Sequence, residues 1–247
     1  MTPVLELDGV AMAYGAVEAL RGVSLTVAQG EVVGLCGDNG AGKSTLIKLI
    51  AGAEQPTGGS IRLFGAIADF ASPRDALSKG VATIYQDLAL APRLPIYQNV
   101  FMGAELTRRL AGVPFLDKAA MRRAAKEYLA RLSIDMPSVD APVSRLSGGQ
   151  RQAVAIARAL RWSARVIVMD EPTAALGVKE TRRVLDLIGQ LHRAGVTVIL
   201  VSHNMEDVVA VATRVVVLRS GRKVADLSAQ GLTAAALGRL IVGADLV

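Results

Sequence analysis

The run Gly37-Asp38-Asn39-Gly40-Ala41-Gly42-Lys43-Ser44-Thr45 constrains this chain more than any other stretch. It fits the pattern G-x-x-x-x-G-K-S/T and follows the apolar segment Glu31-Val32-Val33-Gly34-Leu35-Cys36. Thr45-Leu46-Ile47-Lys48-Leu49-Ile50 behind it reads as the start of a helix. Strand, glycine loop and helix in that order build a phosphate cradle. The glycines let the backbone curl until several N–H groups face one anion. The helix N-terminus adds its partial positive charge. Lys43 is expected to reach the β- and γ-phosphates of a nucleotide, and the Ser44 hydroxyl to hold Mg²⁺.

Alternation further along the chain sets the fold class. Arg165 to Met169, Val196 to Val201 and Arg214 to Leu218 read as apolar strands, with helices between them reaching about Ala194 and Ala212. Strands separated by helices imply a parallel sheet flanked by helices. Before the glycine loop and after it lie shorter strands: Val4 to Leu7, Ser24 to Val27, Glu31 to Leu35, Ser60 to Leu63 and Val81 to Tyr85. From about Asp87 the texture changes. Pro92, Pro95 and Pro114 interrupt it, Lys118 to Leu132 has apolar residues at helical spacing, and Gly149 to Leu160 is a second helix. The middle of the chain therefore reads as a helical insertion in an α/β core.

A length of 247 residues suits one large domain, or one domain with a subdomain. Hydrophobic residues at 51% call for a packed core and exclude a disordered chain. The net charge of +6 favours anionic partners, but the basic residues are scattered, which argues against a nucleic-acid tail. Cys36 is the only cysteine, so no internal disulfide is available, and its apolar strand makes it a core residue. No signal pattern opens the chain, and no run approaches the roughly 18 apolar residues of a membrane span. A cytoplasmic location is expected, with any membrane work done by a partner.

Two further motifs complete a constellation. Val166-Ile167-Val168-Met169 runs into Asp170-Glu171, so two carboxylates emerge where a parallel strand ends, the place where open α/β sheets bind ligands. Asp170 suits the metal and Glu171 the polarisation of an attacking water. Between the motifs lies Leu146-Ser147-Gly148-Gly149-Gln150, which opens a helix and makes a second anion site.

The order of these three motifs resembles the ATPase subunit of ABC transporters over nearly the whole chain. The resemblance implies one ABC ATPase domain over residues 1–247. Its fold would be a P-loop NTPase α/β core with a parallel sheet, an N-terminal antiparallel β subdomain and an inserted helical subdomain. Residues 1–86 and 163–247 would form the core with the β subdomain, and residues 87–162 the helical part. Tyr14 matches the aromatic residue that stacks on adenine. Gln86 matches the glutamine that touches Mg²⁺ and the attacking water. His203 matches the histidine that contacts the γ-phosphate, while His192 and Trp162 receive only surface and packing roles. Ser147, Gly148, Gly149 and Gln150 would cap ATP held by a second copy, so a head-to-tail homodimer makes two complete sites.

One departure stands out. Ala174-Ala175-Leu176-Gly177 replaces the usual Ser-Ala-Leu-Asp, which puts in doubt how the two sites communicate. That texture, with Ile84-Tyr85-Gln86-Asp87, Pro95 to Gly103 and Ser202-His203-Asn204-Met205, resembles bacterial monosaccharide importers of the ribose, xylose and fructose type. The partners implied are transmembrane permease subunits and, indirectly, a periplasmic or extracellular solute-binding protein, with no nucleic acid. The protein would sit peripherally at the cytoplasmic face of the membrane. Leu88, Leu90, Leu94, Ile96, Phe101 and Met102 are expected to line a groove for the permease or to fill the helical core. The alternative is a soluble ABC-type ATPase, for example in iron–sulfur assembly. The repair members of that branch carry long coiled coils, and no sustained heptads occur here. A regulatory binder without turnover would need neither Glu171 nor His203.

Overall fold

The computed structural model describes residues 3–110 and 112–243. The chain begins with β1 (Pro3–Tyr14), β2 (Val17–Ala28) and β3 (Val32–Gly37), followed by α1 (Lys43–Ile50). Next come β4 (Gly58–Leu63), β5 (Ala66–Ile67), α2 (Pro73–Ser78), β6 (Val81–Ile84) and α3 (Ile96–Phe101). A hairpin of β7 (Thr107–Leu110) and β8 (Val113–Leu116) precedes α4 (Lys118–Ala130) and α5 (Gly148–Arg161). The chain continues through β9 (Val166–Asp170), α6 (Val178–Arg193), β10 (Thr197–Val201) and α7 (Met205–Val211). It closes with β11 (Arg214–Arg219), β12 (Arg222–Ser228) and α8 (Ala234–Val242).

Six strands form the central sheet in the order β12-β11-β3-β10-β9-β6. All neighbours in it run parallel except the β11–β12 pair, which is antiparallel. The parallel sheet expected from the alternation is present and carries one antiparallel edge strand, because β12 follows β11 after a tight turn and no crossover helix intervenes. A separate antiparallel sheet of four strands, ordered β2-β1-β4-β5, accounts for the early strands.

The central strands are buried on both faces, so their sequences are apolar without interruption. Alternate residues enter different cores. Val33, Leu35, Val168, Ile199, Val201, Val216 and Leu218 point to the side of α1 and the antiparallel sheet. Val32, Cys36, Ile167, Met169, Val198, Leu200 and Val217 point to the side of α3, α4, α5 and α6. The sheet is the wall between the two cores, and its C-terminal edge lies open between them.

The middle of the chain is less purely helical than expected. The hairpin β7–β8 stands within residues 87–162, and Val113, Phe115 and Leu116 on it are exposed. Ile96, Phe101 and Val100 are fully buried against α4 and α5. Ile96 and Phe101 therefore fill the core, as the second of the two expectations for them had it.

Candidate functional site

The glycine loop turns where β3 ends. Gly37 has φ +151, and a Cβ there would strike the Leu218 carbonyl oxygen of the neighbouring strand. Gly42 has φ +103 and serves as the N-cap of α1, so its left-handed backbone turns the loop into the helix. Between them Asp38, Asn39 and Gly40 are exposed and Ala41 is buried. The Ala41 N–H donates to the Asp38 carbonyl at 3.1 Å, and Gly221 N–H anchors the loop by donating to the Ala41 carbonyl at 3.1 Å. The Lys43 ammonium bridges the loop, donating to the carbonyls of Gly37 at 2.7 Å and Asp38 at 3.0 Å. Ser44 is exposed in the first turn of α1, with Thr45 beside it. Cys36 lies beneath the loop, and burial pushes its thiol up to about 12, so the cysteine is an inert core group.

The carboxylate pair stands two strands away, across β10. Asp170 ends β9 and pairs with Val201 of β10. Burial raises its pKa, the neighbouring Glu171 adds to that, and Lys43 opposes both. Glu171 itself adopts φ +50, a left-handed conformation uncommon for a side-chain-bearing residue. Its N–H donates to the Val201 carbonyl at 2.8 Å, which fixes this turn against the next strand. Such strain concentrates where a side chain has to be aimed. His203, two residues beyond β10, meets it: Nδ1 lies 2.8 Å from Glu171 Oε2. The His203 side chain is 75% exposed and that of Glu171 only 18%. Thr173 Oγ1 donates to Asp207 Oδ2 at 2.6 Å and ties the loop after Glu171 to α7, just after His203.

Gln86 lies two residues past β6, in an exposed bend, and does not itself belong to the strand. It lines a cavity of about 410 Å³ shared with Glu171, Gly148, Gln152 and Leu176. Tyr14, at the end of β1, is 43% exposed. Its hydroxyl donates to Glu54, whose other oxygen accepts from Lys48 at 3.1 Å. That bond to Glu54 raises the tyrosine pKa. The phenol is anchored while the residue as a whole stays partly exposed. Ser147 is the N-cap of α5 and forms a capping box with Gln150, each side chain bonding the other's backbone. Gly148 and Gly149 are buried in the first turn of that helix.

Three contributors escaped sequence reasoning. Glu54 anchors Tyr14 from 40 positions away. Arg158 of α5 donates to the carbonyls of Leu88 at 2.7 Å and Ala89 at 2.9 Å, fastening the segment after Gln86 to the helix that Ser147 opens. Glu180 accepts the Gly148 N–H at 2.9 Å. No local pattern marks these residues, because each acts across a tertiary contact.

An apolar groove of about 570 Å³ lies on the far side of β6, lined by Ala51, Leu77, Tyr85, Met102, Ala155 and Trp162, among others. Of the six apolar residues expected to line such a surface, only Met102 does so. Leu88 and Leu90 turn toward the Glu171 cavity instead, and Leu94 lines a smaller pocket with Tyr97 and Met121.

The ABC transporter family matches residues 20–174, which span the glycine loop, the Ser147 motif and the carboxylate pair. The chain belongs to the ABC transporter family. It is 49% identical over 222 residues to the xylose/arabinose import ATP-binding protein XylG of Sulfolobus acidocaldarius, covering 90% of this chain and 87% of that protein. It is 44% identical to the fructose import ATP-binding protein FrcA of Rhizobium meliloti, covering 94% and 90%. The ribose import ATP-binding protein RbsA 2 of Escherichia coli O157:H7 is 43% identical, and the match takes up 47% of its length. Among solved structures, cbiO1 of Clostridium perfringens, part of an ABC transporter complex, superposes with a TM-score of 0.80 at 26% identity, covering 98% and 93% of the two chains. MJ1267, an ATP-binding cassette, superposes with a TM-score of 0.82 at 23% identity, which bears on the fold alone. This ABC transporter chain therefore has the fold of an ATP-binding cassette. No helix among its described residues is long and apolar enough to cross a membrane.

Proposed function

We propose that this chain binds ATP in the loop Gly37 to Thr45, hydrolyses it at a site completed by a second copy, and thereby powers a permease that imports a monosaccharide. The observation that carries the hydrolytic part is the Glu171–His203 contact of 2.8 Å at the open edge of the sheet, beside the Lys43 loop. The sugar class rests on the xylose/arabinose, fructose and ribose import proteins that the chain resembles.

The chemistry follows from where the groups stand. Lys43 and the inward-facing amides of the loop take the phosphates, and the partly exposed Tyr14 offers a stacking face for adenine. Glu171 accepts the proton of the attacking water. His203 holds that carboxylate in place and can donate to the γ-phosphate from its exposed ring. The Ser44 hydroxyl, the Gln86 amide oxygen and the Asp170 carboxylate form a hard-oxygen donor set, which fits Mg²⁺ because that ion takes few protein ligands alongside phosphates and water. Mg²⁺ bound there would draw charge from the β- and γ-phosphate oxygens. Ser147, Gly148, Gly149 and Gln150 cap the nucleotide of the partner copy, and a two-fold pair completes two such sites. The apolar groove beside Met102 and Trp162 receives the permease, and the protein works at the cytoplasmic face of the membrane. A solute-binding protein on the other side supplies the sugar.

The test is recovery of partners with tagged Glu171→Gln protein and ATP from detergent-solubilised native membranes. A multi-span permease is the expected partner. Recovery of cytoplasmic proteins alone would overturn the transport reading and favour a soluble ATPase.

A further inference from the structure

Glu180 makes a contact that joins two parts of the proposed site. It sits in the first turn of α6, and its Oε1 accepts the N–H of Gly148, the first residue of α5, at 2.9 Å. An ionised acceptor makes this a stronger bond than a neutral one. The carboxylate also complements the positive end of α5. The two helix starts pack closely around it. A Cβ on Gly148 would run into Leu176 Cδ2 and lie 3.2 Å from Glu180 Oε2, and a Cβ on Gly149 would lie 3.6 Å from the Glu180 carbonyl. Both glycines are thus shaped to the surface that Leu176 and Glu180 present.

The chain between Glu171 and Glu180 is a series of hydrogen-bonded turns. Ala174 N–H donates to the Glu171 carbonyl at 3.1 Å, Leu176 N–H to that of Thr173 at 3.2 Å, and Glu180 N–H to that of Gly177 at 2.9 Å. Gly177 is the N-cap of α6 and contributes no side chain. This is the position at which the expected aspartate is missing. Glu180 brings a carboxylate to the same helix start, one turn along.

We infer that Glu180 is a positioning residue that couples the hydrolytic carboxylates to the Ser147–Gln150 motif. Through it, a movement of the Glu171 turn shifts the helix that caps the partner's nucleotide. The inference rests on the proposed role of Ser147 to Gln150 across a dimer.

The experiment compares ATP turnover of purified Glu180→Ala, Glu180→Gln, Glu180→Asp and Ser147→Arg proteins with wild type, with nucleotide affinity and Hill coefficient measured in parallel. Glu180→Ala is expected to keep ATP affinity within about twofold and to lose about tenfold or more in turnover, the worth of one charge-assisted hydrogen bond. Its Hill coefficient should fall toward one. Glu180→Gln keeps an acceptor of the same length without its charge and should lose less turnover than the alanine variant, whereas the shorter Glu180→Asp should behave like the alanine variant. Wild-type turnover and cooperativity in Glu180→Ala would overturn the inference. If the alanine variant fails to fold, the glutamine and aspartate proteins decide, and an active aspartate variant beside an inactive glutamine variant would overturn it equally. Ser147→Arg separates the two levels: full turnover in that protein defeats the capping role itself, whereas loss of turnover there with an unaffected Glu180→Ala defeats only the coupling role.

Discussion

His203 Nδ1 stands 2.8 Å from Glu171 Oε2, joining the ends of two adjacent parallel strands at the open edge of the sheet. The contact couples an exposed ring to a largely buried carboxylate whose backbone is held at φ +50. A carboxylate held this way has little freedom to turn.

Glu171→Gln removes the proposed proton acceptor and keeps the shape. ATP binding should be unchanged, and hydrolysis should slow by about 10²–10⁴. Phosphate release at saturating ATP, alongside a nucleotide-binding titration, checks both halves. Undiminished turnover would remove Glu171 from its assigned role.

His203→Ala frees the carboxylate and takes away the ring. Turnover should fall by about tenfold or more while nucleotide affinity stays near wild type, because the proposed site places the ring at the γ-phosphate end alone. The same two assays read this split between kcat and binding.

Arg158 donates two bonds to backbone carbonyls of the segment following Gln86. Burial of its guanidinium lowers its pKa. Arg158→Met should destabilise the protein by about 1–3 kcal/mol, since two carbonyls lose a charged donor. Chemical denaturation measures the change, and hydrogen exchange should quicken over residues 86–91.

Asp226 tests the pH dependence of stability away from the site. Partial burial raises its pKa, but the hydrogen bonds from Arg214 at 2.6 Å and Lys223 at 2.8 Å outweigh that and leave it lowered. A carboxylate lowered in the folded state contributes stability above its unfolded pKa of about 4 and loses it as pH falls through the folded value. Asp226→Asn should therefore cost about 0.5–1 kcal/mol at neutral pH, a modest figure because the pair is partly exposed. The difference from wild type should shrink as pH falls below the unfolded pKa and vanish once the pH lies below the lowered folded value. An unchanged difference at low pH would contradict the ion-pair origin of the effect.

Much of this site is written in local sequence, for a physical reason. The turn at Gly37 to Gly42, the helix cap at Ser147 and the strand end at Asp170 obey short-range rules, so their residues identify themselves. The central strands are legible because burial on both faces leaves no polar interruption. Register and order are not local. β3 lies between β10 and β11, strands more than 150 residues away in sequence, and no periodicity announces that neighbour. β1 and β2 run longer than their apolar runs suggest, because register shifts at Leu7/Val10 and Val10/Met12 break the alternation. None of the described side chains of the β7–β8 hairpin is buried to impose a period, and Pro114 argues against a strand. An isolated ribbon tolerates that proline because its other edge is unpaired. Glu54, Arg158 and Glu180 belong to the same class: each is an ordinary charged residue until the fold brings its partner near.

The central claim is that one copy's glycine loop and another copy's Ser147 motif enclose the same ATP. Light scattering after size separation tests it directly, using Glu171→Gln protein so that bound ATP persists. With ATP and Mg²⁺ the account predicts a particle of twice the 25.8 kDa chain mass, and a monomer without nucleotide. The doubly substituted Glu171→Gln, Ser147→Arg protein should bind ATP and remain monomeric. A double variant that dimerises as well as its parent, or a parent that stays monomeric at saturating ATP, would contradict the shared site.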